Sequence, residues 1–489
     1  MFKRFAFPFA ALLSLACFFL NPTPAPTSPL PPTLAPQTPA PVPPTESQPP
    51  TSTPQVVVFP TPDVPLSQAG PWLLATDDNG LWAVNPDGSG FTNLFDKKVV
   101  SPWYEFSTAI SPDGHHLAFV TADEPQQYIG LRLILLTLPE GTTQILTPLM
   151  KPDVDPFADF SDPAFEAARA IGDYASAAWS PDGRKLAFIG AQDGPSSDLY
   201  VYSLDDGSIT RLTDGPSQTY GLSWSPDGKY IVHAGVESFG TGAGYSLVGM
   251  WAARADGSGV ETLYLPSGGD ERVIGWIDNE TFITSSWFIT CGTSLLRTYN
   301  IPARSEKILR RECVDSYAFD PVSKTLVYSV STTLSDFLED KTTGVYFWNP
   351  SLDQPRAISE IANASNVSWS PESKLFYFGF EGGQATAIDL RGTPASVPVG
   401  ITDPPAVSSA GDYAWIDDNF TLQITDPSGQ TRAVFDGATG PLAWSADGQS
   451  FFFTDNRASL HVARKPDFTA EKITDLSNVG DFAWLSPPP

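Results

Sequence analysis

Along most of the chain, apolar residues fall into short runs of strand length, alternating or fully hydrophobic, with turn residues between them. Ala177 to Ser180 is followed by Lys185 to Ile189, Leu222 to Ser225 by Tyr230 to His233, and Val367 to Ser370 by Leu375 to Phe380. The same turn joins each pair. Its copies are Ile110-Ser111-Pro112-Asp113-Gly114, Trp179-Ser180-Pro181-Asp182-Gly183, Trp224-Ser225-Pro226-Asp227-Gly228, Trp369-Ser370-Pro371-Glu372-Ser373 and Trp444-Ser445-Ala446-Asp447-Gly448, with Phe319-Asp320-Pro321 as a worn version. Pro presets φ for a type I turn, Asp bonds nearby backbone N–H groups, and Gly takes the left-handed position that follows. The turn closes a hairpin. A third run, Asp198 to Ser203, a second turn, Asp205-Asp206-Gly207, and a fourth run, Ile209 to Leu212, complete the unit. Repeated units of four short strands predict an all-β propeller.

The pattern Trp-Ser-Pro-Asp-Gly-(Arg/Lys), continued through Asp198 to Thr213, resembles the WD-like repeat of TolB-type propellers. The dipeptidyl peptidase IV and tricorn families use the same repeat. The resemblance runs roughly from 70 to 486 and is fullest over 174 to 216. It implies a fold and not a ligand, because the shared residues are turn and core positions. Units start near 107, 174, 220, 271, 314, 363, 406 and 440. A split unit joins an inner strand at Gly480 to Leu485 with Trp72 to Ala75, Gly80 to Asn85 and Gly90 to Phe95. Since propellers usually have about 4 to 8 blades, the expectation is a single ring of about eight, within a range of seven to nine, with 406 to 437 as an irregular unit. One helix is expected, Pro163 to Ile171, inside an insertion at 150–173.

The first 69 residues are of another kind. Met1-Phe2-Lys3-Arg4 and the apolar Phe5 to Leu20 have the anatomy of an export signal, residues 1–20. Ala16-Cys17 resembles a lipoprotein junction, with Cys17 as the acylation site; an uncleaved anchor and ordinary cleavage are the alternatives. Residues 21–69 are rich in Pro and Thr and should form an unstructured tether, reaching at most about 3.1 Å per residue. The propeller then occupies 70–489. The expected location is outside the cytoplasm, held to a membrane only by the N-terminal anchor. In that oxidising compartment Cys291 and Cys313 are expected to pair.

Charge narrows the partners. With 28 basic and 55 acidic residues, a net charge of −27 argues against nucleic acid. Solubility explains the excess acid, and a calcium site over Asp153, Asp155, Asp159 and Asp162 is the sharper alternative, although the glycine turn of a calcium loop is missing there. No other cofactor is expected. Catalysis has little support: the four histidines read as structural, no Gly-x-Ser-x-Gly elbow occurs, and the propeller repeat runs to the end of the sequence.

The remaining reading is a monomeric, non-catalytic binding or scaffold module for a protein or peptide, with a glycan-binding or glycan-processing propeller as the alternative. Three long connections, 150–173, 236–245 and 331–343, should leave one face of the ring, since each joins a second to a third strand or a fourth to the next first. One-sided elaboration of a repeat protein marks a binding surface. Its candidate residues are Trp103, Tyr104, Asp155, Phe157, Phe160, Phe165, Phe239, Tyr245, Trp287 and Phe337.

Overall fold

The computed structural model describes residues 65–487 apart from 103–105, 152–153, 161, 241–245, 264–269, 289–291, 331–342, 359–363, 365, 380–382 and 418. Among the described residues the strands form nine four-stranded antiparallel sheets, which are the blades of one ring. Blade 1 is the split unit: Phe482–Leu485 pairs with Trp72–Asp77, followed outward by Gly80–Val84 and Thr92–Phe95. Blades 2 to 9 begin with Val99–Ser101, Ala177–Trp179, Gln218–Trp224, Asp270–Trp276, Ser316–Asp320, Asn366–Ser370, Ala406–Val407 and Ala438–Trp444. These first strands are the inner ones. Ala177–Trp179 approaches Gln218–Trp224, and Ser316–Asp320 approaches Asn366–Ser370.

The count is the upper end of the expected range. Residues 406–436 form an ordinary blade, Ala406–Val407, Tyr413–Ile416, Thr421–Thr425 and Thr431–Asp436, so no irregular unit is needed. Blade 2 departs from its repeat in another way. Its inner strand starts at Val99, earlier than the sequence suggested, and resumes pairing only at Ile110 opposite Leu117.

The repeated turn works as one hydrogen-bonded unit. In blade 4 the Ser225 hydroxyl donates to Asp227 at 2.8 Å and accepts the N–H of Tyr230 at 2.9 Å, while Gly228 N–H donates to the Ser225 carbonyl at 2.9 Å. Blades 3 and 9 repeat this through Ser180 with Asp182 and Ser445 with Asp447. Gly183 and Gly228 both sit at φ +70°, which a side chain would strain. Neighbouring turns also nest. A Cβ on Gly183 would lie 3.5 Å from Pro112, and one on Gly114 would strike the Ser486 carbonyl at 2.2 Å.

Three of the motif tryptophans fasten their blade to the one before. Trp179 Nε1 donates to Ala109 O at 2.8 Å, Trp224 to Ala178 O at 2.9 Å and Trp444 to Ala406 O at 3.1 Å. Trp276 follows suit with Ser223 Oγ at 2.9 Å. Each indole therefore fills the gap between blades and satisfies its one donor there.

Two outcomes follow for stability. Ser225→Ala should lower it by about 1–3 kcal/mol, because two backbone N–H groups and Asp227 lose a partner; urea unfolding checks this. The Ser180 and Ser445 hydroxyls hold Asp182 and Asp447 below the ordinary carboxylate range, with the N–H groups two residues on assisting. A depressed folded pKa means that the unfolded chain takes up protons first as pH falls. The urea midpoint should therefore hold from neutral pH down to about 5 and fall below about pH 4, where unfolded carboxylates titrate. A midpoint that rises on acidification would contradict the turn chemistry.

Candidate functional site

Because each blade is an antiparallel meander, its first-to-second turns leave one end of the ring and its second-to-third connections leave the other. The repeated turns occupy the first end. The second end carries the elaboration.

Its centre is the helix Pro163–Gly172. Asp162 caps it, accepting Ala164 N–H at 2.9 Å, Pro163 supplies the first turn, and Arg169 stands in the last. Its buried side is Ala164, Ala167, Ala168, Ala170 and Ile171, and the four alanines let it approach the inner strand of blade 4 closely. Gly172 permits the ring of Tyr128 to lie against the helix, since a Cβ there would come within 2.6 Å of it. The Tyr128 hydroxyl donates to Asp173. Burial, with the Asp173 carboxylate beside it, pushes the Tyr128 pKa well above its usual value.

The helix is bound to the next connection. Arg169 Nη1 donates to Gly240 O at 2.9 Å, Glu166 accepts Phe239 N–H at 3.0 Å, and the Arg169 guanidinium lies over the Phe239 ring at 5.4 Å. Phe239 itself is 1% exposed and packs on Tyr174 and Tyr220. It is an anchor beneath the surface. Insertion 150–173 and the start of 236–245 thus meet, together with the blade 2 connection that carries Tyr128. The bounds of 331–343 also join a second to a third strand, Thr325–Val330 to Gly344–Trp348.

Above this base lies an aromatic cluster. Phe157, Phe160 and Phe165 meet edge to face, with centroids 5.7, 5.3 and 5.0 Å apart, and Tyr128 joins through Phe157 at 5.9 Å. Phe160 is 66% exposed. Asp155, Asp159, Asp162 and Asp173, from the same insertion or its end, are exposed. Asp155 also accepts the Phe157 N–H at 2.9 Å, so the acidic run has a local turn-and-cap role. Among the described residues no group of three or more His, Cys, Asp or Glu could hold a metal ion.

The other candidates divide. Trp103, Tyr104, Tyr245 and Phe337 lie outside the described residues, as do Cys17 and Cys291. Trp287 belongs to the strand Thr281–Phe288 and Cys313 to Ser305–Val314, but their side chains are outside the description.

Carboxylates paired for catalysis are the remaining test. Glu271 and Glu306 share Arg297 in blade 5, where Ser286 also donates to Glu271. Glu271 and Arg297 are completely enclosed, and the group is a ladder with one charged or polar side chain from each strand of the blade. Three histidines are equally structural: His115 bonds Leu138 O, His116 bonds Thr137 and stacks on Trp179, and His461 bonds Asp455. The fourth, His233, lies in the strand Tyr230–Val236. It is buried without a hydrogen-bond partner, at a cavity that no sequence motif marks.

No family model matches the chain. A segment of 57 residues is 49% identical to a Bacillus subtilis protein named uncharacterized peptidase YuxL, covering 11% of this chain and 8% of that one. Another of 92 residues is 37% identical to the Agrobacterium fabrum protein Atu1656, covering 19% and 29%. The matches therefore span less than a third of either relative. Among solved structures, TolB from Acinetobacter baumannii aligns over 58% of this chain and 62% of its own at 15% identity and TM-score 0.32. The C-terminal WD40 domain of Sif2 aligns over 74% and 98% at 14% identity and TM-score 0.39. The nine-sheet topology establishes the propeller directly.

Anchor and surface should separate on mutation. Phe239→Ala should cost about 3–5 kcal/mol as a buried ring is lost, whereas Phe160→Ala should stay within about 0.5 kcal/mol. Chemical denaturation of both variants checks the assignment.

Proposed function

We propose that the protein is an exported, membrane-tethered, non-catalytic propeller that binds a protein or peptide through the inserted face. The observation that carries this reading is the exposed Phe160 ring, held by Phe157 and Phe165 on a base built from three separate connections. An exposed ring held in place by neighbouring rings has the form of an interface anchor, which aromatic residues supply more often than most side chains.

The ring geometry favours a peptide over a sugar. Interplanar angles of 80°, 85° and 87° present edges and clefts, which suit an inserted apolar side chain; a glycan ring stacks best on a flat aromatic face. Exposed aspartates such as Asp155 in the same insertion would suit Lys or Arg in the partner, and the net charge of −27 would steer a basic partner towards the protein. Tethering by residues 21–69 would hold this face away from the membrane. No helix among the described residues is long and apolar enough to cross one.

The test is capture of envelope proteins and peptides by the intact chain, compared with Phe160→Glu. Binding should fall at least tenfold in the variant, as for loss of a central anchor worth about 2 kcal/mol, with the unfolding midpoint unchanged. Equal capture by both, or retention on immobilised glycans instead, would overturn the proposal.

A further inference from the structure

A cavity of about 310 Å³ lies between blades 3 and 4, beside the connection 212–217 on the inserted face. That is the lower end of the volumes that hold small molecules. Leu212, Pro216, Val260 and the indole of Trp251 give it apolar walls, and His233 lines it from the strand Tyr230–Val236. The site is built around the indole. Gly235 lies beneath Trp251, where a Cβ would come within 2.5 Å of the ring, and His233 stacks against the same indole at 5.8 Å and 17°.

His233 is 3% exposed, and neither ring nitrogen has a hydrogen-bond partner of adequate geometry, although the backbone of Ala234 still biases its charge. Burial takes its pKa down to about 4, so the ring is neutral at pH 7 and offers one donor and one acceptor. An unpartnered buried polar group costs stability that an apolar side chain of the same shape would not. The other polar group of consequence, Asp198, is occupied by Arg211 at 2.6 Å, Thr213 at 2.9 Å and Gly215 N–H at 3.3 Å. Burial raises the Asp198 pKa while Arg211 opposes the shift, and these three donors already engage the carboxylate within the protein.

We propose that this cavity binds a small neutral molecule, or side chain, with a flat apolar body and one hydroxyl group, seated on Trp251 and hydrogen-bonded to His233. A phenol has this chemistry. A cation finds no unpaired carboxylate in the cavity, and an anion meets Asp198 and Asp214. The proposal is independent of the aromatic cluster around Phe160.

The experiment titrates the full chain with p-cresol and with toluene, which differ by the hydroxyl alone. Binding is followed by Trp fluorescence and by the imidazole protons of the four histidines. p-Cresol should bind saturably, at about a millimolar or tighter, and shift one histidine; toluene should be about tenfold weaker, the worth of one hydrogen bond. His233→Phe should bring p-cresol to the toluene level and remove the shifting resonance. Binding of N-acetyl-tyrosinamide equal to p-cresol would assign the site to a tyrosine of a partner; binding of p-cresol alone would assign it to a free molecule. Equal affinity for p-cresol and toluene, no saturable binding, or an unshifted histidine spectrum would overturn the proposal, and the wild-type spectrum decides even if the variant misfolds.

Discussion

Closure of the ring is the constraint on which everything else rests. Blade 1 exists only when Trp72–Ala75 pairs with Phe482–Leu485, two segments about 400 residues apart. Asp77 secures the junction: it is 1% exposed and accepts from Asn79 N–H, Trp82 Nε1, Ser477 N–H and the Ser477 hydroxyl, at 2.9, 3.0, 2.9 and 3.2 Å. Gly480 N–H to Thr76 O, at 2.9 Å, continues the same seam. Without it two sheet edges would stand open. Lengthening the closed chain costs little, because each doubling adds only about 0.6 kcal/mol of loop entropy. A ninth blade is therefore compatible with the same closing device.

The two ends of the ring carry different burdens. At the repeated-turn end, hydroxyl, carboxylate and glycine are used within each turn, and neighbouring turns touch, so a longer loop would break contacts on both sides. At the other end, connections lie between strands without this interlock. Length can be added there and folded into new structure, as the helix Pro163–Gly172 shows by joining blades 2, 3 and 4. Both sites argued above lie at this end, one on its surface and one between two of its blades.

What the sequence disclosed follows the same division. The Ser-Pro-Asp-Gly turns were legible because their hydrogen bonds are local, and so were the helix and its Asp162-Pro163 start. Blade 8 was obscure for a specific reason. Its turn reads Ser408-Ser409-Ala410-Gly411-Asp412, and Asp412 closes on the Ser408 hydroxyl from beyond the glycine, at φ +87° for Gly411. The chemistry is conserved in kind while the order of residues is not. The surroundings of Phe239 and His233 were not legible in this local way. An aromatic in a loop proved to be core, and a histidine in a strand proved to border a cavity, because burial at both depends on side chains from other blades.

The most direct test of closure is native-state hydrogen exchange across the seam. The ladder amides of Phe482–Leu485 and of Trp72–Ala75 should exchange only through global unfolding, with the denaturant dependence of inner strands such as Gln218–Trp224. Rapid exchange of 482–485 with little denaturant dependence, as for a frayed terminal strand, would contradict a ring closed by these two segments.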